Sequence, residues 1–313
     1  MKKLVALGLT YAIIQILIMT NLISDYIQAT LVTICINIIL AVSLNLITGF
    51  TGQFSLGHAG FMSIGAYICA LITMRNPTVY GFLIGVFAGA LAAALMGFLV
   101  GLPTLRLRGD YLAIATLGMS EIIRIIFLNL EITNGAAGLN GIPQFVNWTW
   151  LFIFMTATVL GISNFIKSSH GRACISIRED EIAAEAMGID TIKYKVIAFV
   201  IGSFCAGIAG ALYASYFYFI KPDLFGFLKS VDILVIVVSG GMGSISGSIL
   251  AAILLALIST YLQSFPEIRM VLYAAALVAI MIFRPQGLMG SRELSLELFG
   301  KLGDSLKSKK GRV

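Results

Sequence analysis

Charge is scarce in this sequence. Only 12% of its 313 residues are Asp, Glu, Lys or Arg, about half the roughly 25% of a soluble domain. So few charges cannot cover a water-facing surface, and a soluble globular protein is excluded. Proline is also rare, at 6 residues, and the 32 glycines follow no triplet period, which rules out collagen-like and Pro-rich disordered chains. The 4 cysteines stand singly, Cys35, Cys69 and Cys205 in apolar runs and Cys174 in a polar stretch. With no CxxC pair and only two histidines, His58 and His170, neither a redox pair nor a metal centre is indicated. The HExxH, GxSxG and GxxxxGK[ST] patterns are missing, so the chain is expected to be non-enzymatic. Any ATP it used would be hydrolysed on another chain.

What is present is apolar. Hydrophobic residues make up 59% of the chain and the mean hydropathy is +0.98. Apolar runs near the 20 residues or so that one crossing needs occupy roughly 4–23, 27–48, 58–74, 79–101, 111–130, 148–166, 196–220 and 267–283. The first follows Met1-Lys2-Lys3 with no small-residue cleavage site, and is read as a retained helix. The 34 residues of 231–264 hold an apolar half, the string Gly240-Gly241-Met242-Gly243-Ser244, and a second apolar half. They are too few for two full crossings and are read as a broken or re-entrant helix, which is tolerated where protein or a water-filled cavity covers the backbone. The fold class expected is an all-α polytopic membrane protein of about 8–10 transmembrane or broken helices. It divides into a membrane domain over 1–290 and a basic tail over 291–313.

Lys and Arg set the orientation. Placing both termini in the cytoplasm puts 16 of the 21 basic residues inside, including five in 167–195 and seven in 284–313. Only Arg75, Lys221, Lys229 and Arg269 then lie outside, and Arg124 lies within a span. The net charge of +6 calls for no nucleic acid, since the tail's seven positive and three negative residues put +4 of it near the inner leaflet as anchoring charge. Two helices carry small-residue stripes every fourth position: Gly81, Gly85, Gly89, Ala93, Gly97 and Gly101 in one, Gly202, Ala206, Gly210 and Ala214 in the other. Close backbone approach drives helix association in lipid, and packing within one bundle is the reading preferred over a subunit contact.

Polar residues at membrane depth are the informative exceptions. Glu121 and Arg124, three residues apart, can pair along one helix face. They form either a static pair or part of a solute path. The string 49–60 interrupts the apolar sequence with Gly52, Gln53, Ser55, Gly57 and His58 but no Lys, Arg, Asp or Glu. It is read as a broken segment near a translocation path, the alternative being a plain turn. Gly240, Gly241 and Gly243 form the second break, and paired breaks point to a transport site. In 167–195, Ser176-Ile177-Arg178-Glu179 has the form of a capping box. Glu179, Asp180 and Glu181 would occupy the first turn, and Gly188 would end the helix. This predicts a short cytoplasmic helix over 177–187, with Asp190 capping the next. Its small face is suited to docking, on a partner or on its own bundle.

Several strings are similar to one family. GRACISIREDEIAAEAMGIDTIKYKVIAFVIGSFCAGIAGALYA (171–214), NLITGFTGQFSLGHAGFMSIGAY (45–67), LRGDYLAIATLGMSEIIRI (107–125) and TNGAAGLNGIP (133–143) resemble the permeases of branched-chain amino acid ABC importers, of the LivM type. The likeness runs in order from about 45 to 285. It implies a multi-pass subunit of the bacterial cytoplasmic (inner) membrane that moves branched-chain amino acids inward by alternating access. The implied partners are a second, LivH-like permease, two cytoplasmic LivG/LivF-like ATPases and a periplasmic or lipid-anchored binding protein, with membrane lipid around the helices. ATP-Mg would be used on the ATPases, with no cofactor on this chain. The family's coupling loop corresponds to Arg178, Glu179, Asp180, Glu181, Ala183, Ala184, Glu185, Ala186 and Gly188. Other amino acids, urea or short amides are alternative solutes. A stand-alone secondary transporter is the alternative class, disfavoured because only Glu121 lies well within a span.

The charge split makes a direct prediction. Topology reporters fused after Gly303 should report cytoplasm and those fused after Thr133 the outside. A cytoplasmic signal from the 131–147 loop would overturn the orientation.

Overall fold

A computed structural model of the protein describes residues 2–20, 24–105, 107, 109–261, 271, 275, 278 and 287–290. The expected span 267–283, Arg106, Arg108, Arg269 and the basic tail lie largely or wholly outside the described residues. The apolar runs fold as helices because a backbone without water must close its own hydrogen bonds. These are α1 (Lys2–Met19), α2 (Asp25–Asn45), α3 (His58–Arg75), α4 (Val79–Thr104), α5 (Asp110–Asn129) and α6 (Trp148–Lys167), followed by α7 (Ser169–Glu179), α8 (Glu181–Ala186), α9 (Thr191–Phe217), α10 (Phe227–Gly240) and α11 (Ile245–Tyr261). Among the described residues, five segments are long and apolar enough to cross a membrane: α2 with its continuation to Phe50, α4, α5, α6 and α9. The chain is therefore an all-α polytopic membrane protein, as its composition predicts.

The helices alternate between two ends. At one end lie the close of α2, the start of α3, the turn between α10 and α11, and α7 with α8. At the other, Tyr26 at the start of α2 donates to the Thr260 carbonyl at 2.8 Å. There the loops after α5 and α9 also pair as two short antiparallel strands, β1 (Leu139–Asn140) and β2 (Phe219–Ile220). α10 and α11 form the broken element foreseen over 231–264. At about 1.5 Å of rise per residue the 14 residues of α10 span about 21 Å, short of the roughly 30 Å hydrocarbon core. Together the two helices make a helical hairpin whose turn reaches the level of the α2 end.

Glycines set the spacing of the centre, where α3, α4 and α9 pack on one another. A Cβ at Gly65 on α3 would collide with the Gly207 carbonyl on α9, one at Gly89 on α4 would sit 2.8 Å from the Gly65 carbonyl, and one at Gly97 would overlap Ser203. Gly202 and Gly210 on α9 are closed in the same way by Ile47 and Met62. Both stripes are thus packed inside this bundle. Lipid is as apolar as leucine, so close approach supplies the dispersion that holds the helices together.

Overpacking a core by one methyl group or more costs about 1–3 kcal/mol. Gly65→Ala should therefore lower the thermal midpoint of the purified chain in mild detergent. Gly161→Ala, where nothing lies within 4 Å of the added Cβ, should leave it unchanged or raise it, because alanine is the better helix former. Equal midpoints for the two variants would refute backbone contact as the organising feature.

Candidate functional site

The end of α2 is unusual. After Asn45 the helix loosens into a π-helical turn, Leu46–Phe50, and then runs without regular structure to Gly57. A helix terminus leaves its last carbonyls without intrahelical partners, and here these groups are buried. Three of them find separate donors: the Thr51 hydroxyl donates to Leu46 O at 2.9 Å, Gln53 N–H to Ile47 O at 3.0 Å, and Arg178 Nη1 to Gly49 O at 2.9 Å. Gly52 takes φ +75°, a conformation that glycine adopts without penalty. Gly57 does not need one, its φ being −94°. It is small because a Cβ there would sit 2.7 Å from the Thr116 carbonyl of α5.

Polar groups line the same stretch. Ser43 donates its proton to Leu40 O at 3.0 Å, so the His58 Nε2–H donates to Ser43 Oγ at 2.8 Å. That tautomer leaves Nδ1 as an acceptor, and it meets no protein partner. Gln53 is only 3% exposed, yet neither end of its amide is paired. Ser55 is buried and its hydroxyl accepts from Gly57 N–H at 3.4 Å. Leu56 N–H donates to Thr116 Oγ1 at 3.1 Å and Ala59 N–H to Ser230 Oγ at 3.3 Å, which tie the break to α5 and α10. Unpaired buried polar atoms are uncommon in native folds, and Gln53 and His58 both carry them in this segment.

The second break lies directly against the first. Asn45 is fully buried, and its side chain holds the α10–α11 turn. Its Nδ2 donates to Ser244 O at 2.9 Å and Ser248 Oγ at 2.8 Å, and its Oδ1 accepts from Gly243 N–H at 2.9 Å. Gly241 and Gly243 have φ of +112° and +89°, which reverse the chain between the helices. Gly240 and Gly247 face one another too closely for any Cβ. Leu288 N–H donates to Ser239 O at 2.8 Å and Met289 N–H to Gly240 O at 3.2 Å. Chain beyond the span expected at 267–283 thereby closes over the turn.

The third component is 167–195, and here one expectation is corrected. The helix over 177–187 is two helices, α7 and α8, meeting at Asp180, whose φ −156° and ψ +110° are extended. Ser176 caps nothing, because its hydroxyl donates back to Ala173 O at 2.8 Å inside α7. Asp180 is the cap, accepting from Ile182 N–H at 2.9 Å and Ala183 N–H at 3.0 Å. A carboxylate at an N-terminus gains from the helix dipole as well as the two bonds, and outcompetes the Ser-x-x-Glu pattern. The C-terminus follows expectation. Gly188 has φ +84°, Ile189 N–H donates to Ala184 O at 3.1 Å and Gly188 N–H to Glu185 O at 2.9 Å, the Schellman arrangement. Asp190 caps α9, accepting from Lys193 N–H at 3.1 Å.

α8 sits on the bundle through little of its surface. Ala184 is buried, and Glu181 accepts from Lys195 Nζ at 2.7 Å. Ile182 is 71% and Met187 83% exposed, and Ala183, Glu185 and Ala186 are exposed beside them. Arg178 and Glu179 close α7. Arg178 turns inward to Gly49, and Glu179, accepting from Arg178 Nε at 3.0 Å, is exposed. Cys174, also on α7, is fully buried, and burial pushes its thiol above the usual range while a hydrogen bond with Thr51 pulls the other way.

Glu121 stands apart from these groups. It pairs with Arg124 at 2.7 Å, and Arg124 reaches Asp223 at 3.2 Å, toward the β1–β2 end. The structure therefore brings together Gly52, Gln53, Ser55, Gly57, His58, Gly240, Gly241, Gly243 and Arg178, and leaves Glu121 in a separate ion cluster. Sequence reasoning missed Asn45, Ser244 and Ser248. Its one available signal was an amide, Asn45, at the end of an otherwise apolar run.

Comparison with known proteins places this architecture. The family model described as "Branched-chain amino acid transport system / permease component" matches residues 26–281. The high-affinity branched-chain amino acid transport system permease protein LivM of Escherichia coli K12 is 39% identical, covering 84% of this chain and 70% of the relative. The permease protein LivH of the same organism is 27% identical, covering 82% and 92%. Among solved structures, PsaBC from Streptococcus pneumoniae in complex with Fab aligns at a TM-score of 0.48 and 15% identity, covering 91% of this chain and 99% of that one. With the family match spanning both breaks and the segment between them, the chain belongs to the branched-chain amino acid transport permease family.

Proposed function

We propose that the chain is the membrane-spanning permease subunit of an ABC importer, and that its solute is a branched-chain amino acid. The observation that carries this reading is α8: a short, firmly capped helix at the end of the bundle that holds the two breaks, with Ile182, Ala183, Ala186 and Met187 turned outward. An apolar face outside the spans, fixed at both ends and left exposed by the described residues, fits a groove on an ATPase. LivM and LivH relatives both match this chain, which supports a pair of permeases of the two types. Two ATPases that bind ATP-Mg and a binding protein that delivers solute complete the proposed assembly. Both termini face the cytoplasm of a bacterial inner membrane, and 291–313 forms a basic cytoplasmic tail.

In this reading the solute path runs by the paired breaks. The unpaired amide of Gln53 and Nδ1 of His58 offer hydrogen bonds there, and Gly240, Gly241 and Gly243 allow close backbone approach. Glu121 is neutralised by Arg124, which counts against its use as an ion-coupling carboxylate.

Ala183→Trp or Ala186→Trp should obstruct docking while insertion survives, since both side chains are exposed. A loss of about 1.4 kcal/mol weakens binding about tenfold, so purified permease should recover correspondingly less ATPase and uptake should fall in step. Glu185→Lys should act in the same direction. Normal ATPase recovery and uptake in all three variants would remove α8 from the mechanism.

A further inference from the structure

Arg178 closes the end of a helix to which it does not belong. Gly49 is buried, and its carbonyl is one of the groups that α2 cannot satisfy. The donor at 2.9 Å is Arg178 Nη1, from the last turn of α7. A cation at a helix C-terminus is favoured by the helix dipole and makes a charge-assisted bond. The contact is also built sterically. A Cβ at Gly52 would lie 3.1 Å from Arg178 Cγ, and one at Gly243 would lie 2.6 Å from Arg178 Nη1. The guanidinium therefore lies over both breaks at once. Glu179 holds the rest of the fork through Nε at 3.0 Å and through Nη2. Beneath it, the three hydrogen bonds of Asn45 fasten the α2 end to the α10–α11 turn. Asp180, two bonds from α8, follows Glu179 directly.

We propose that Arg178 is the positioning residue that carries movement of α8 into the membrane domain. Its grip on the Gly49 carbonyl moves the α2 end, and Asn45 makes the α10–α11 turn follow. This deepens the importer reading and rests on it. Two arguments favour transmission over a static cap. Among the described residues Arg178 Nη1 is the one side-chain donor to Gly49 O, so displacement of α7 either carries the carbonyl along or strands it, and stranding a buried group is unfavourable. Beside that bond, Gly52 packs against Arg178, where an added Cβ would lie 3.1 Å from Cγ, so one residue supplies both the hydrogen bond and the packing. Arg178 itself is 29% exposed, so its replacement leaves no sealed cavity.

The test uses the full importer in proteoliposomes, with its ATPases, partner permease and binding protein. Solute uptake and ATP hydrolysis are measured on the same vesicles for the parent, Arg178→Lys, Arg178→Gln and Glu179→Gln. Losing a hydrogen bond to a charged group changes an equilibrium by about tenfold or more. Arg178→Gln should therefore lose uptake by about that factor while hydrolysis stays within about twofold of the parent. Arg178→Lys, which keeps the charge but not the fork, should fall between them, and Glu179→Gln should shift uptake least. Uptake and hydrolysis falling together in the Gln and Lys variants, or neither variant assembling, would make the bond a feature of folding only and overturn the proposal. Unchanged uptake in Arg178→Gln would overturn it equally. Failure of the parent complex to couple ATP to uptake would instead refute the importer reading itself.

Discussion

The structure depends on one constraint: a backbone shielded from water must have every polar group satisfied. Regular helices meet it without help. Two breaks in one bundle do not, and each must borrow donors and acceptors from elsewhere. The α2 end borrows from Thr51, Gln53 and Arg178, and the α10–α11 turn borrows from Asn45 and from 288–289. Breaks cannot be placed freely under such terms. They lie side by side because the same few side chains serve both.

That sharing links local chemistry to mechanics. Close glycine contacts fix α3, α4 and α9 as a core that has little room to rearrange, and packed interiors resist continuous deformation. The broken segments are held by directional bonds that can be exchanged one at a time. Segment 167–195 touches the broken segments through Arg178. A movement imposed at α8 therefore reaches the irregular part of the membrane domain through Arg178, and α9 through the Glu181–Lys195 pair.

Much of this was legible in the sequence. Helix positions followed from run length, because a lipid-spanning helix leaves a strong one-dimensional signal. The observed α3, α4, α5 and α6 begin within a residue of the apolar runs at 58, 79, 111 and 148. Both glycine breaks were visible because Gly interrupts such runs. The course of α7 and α8 was less so. Ser176 satisfied a short capping pattern, but a pattern cannot show that Asp180 has better geometry, and 169–176 carries too few apolar residues to announce a helix. Asn45 escaped notice for a different reason. Its partners Gly243, Ser244 and Ser248 lie about two hundred positions away, and no local periodicity reports a contact of that range.

The central claim is that α8, the α2 end and the α10–α11 turn move as one body against the glycine-packed core. All four native cysteines are buried, whereas Glu185 on α8 is exposed, as are Met242 in the turn (50%) and Leu91 on α4 (63%). Spin labels at introduced cysteines there permit distance measurements in the assembled importer with and without ATP. The account predicts a constant Glu185-to-Met242 distance and a Met242-to-Leu91 distance that changes on ATP binding. A turn that stays fixed to Leu91 while Glu185 moves away from it would contradict the account.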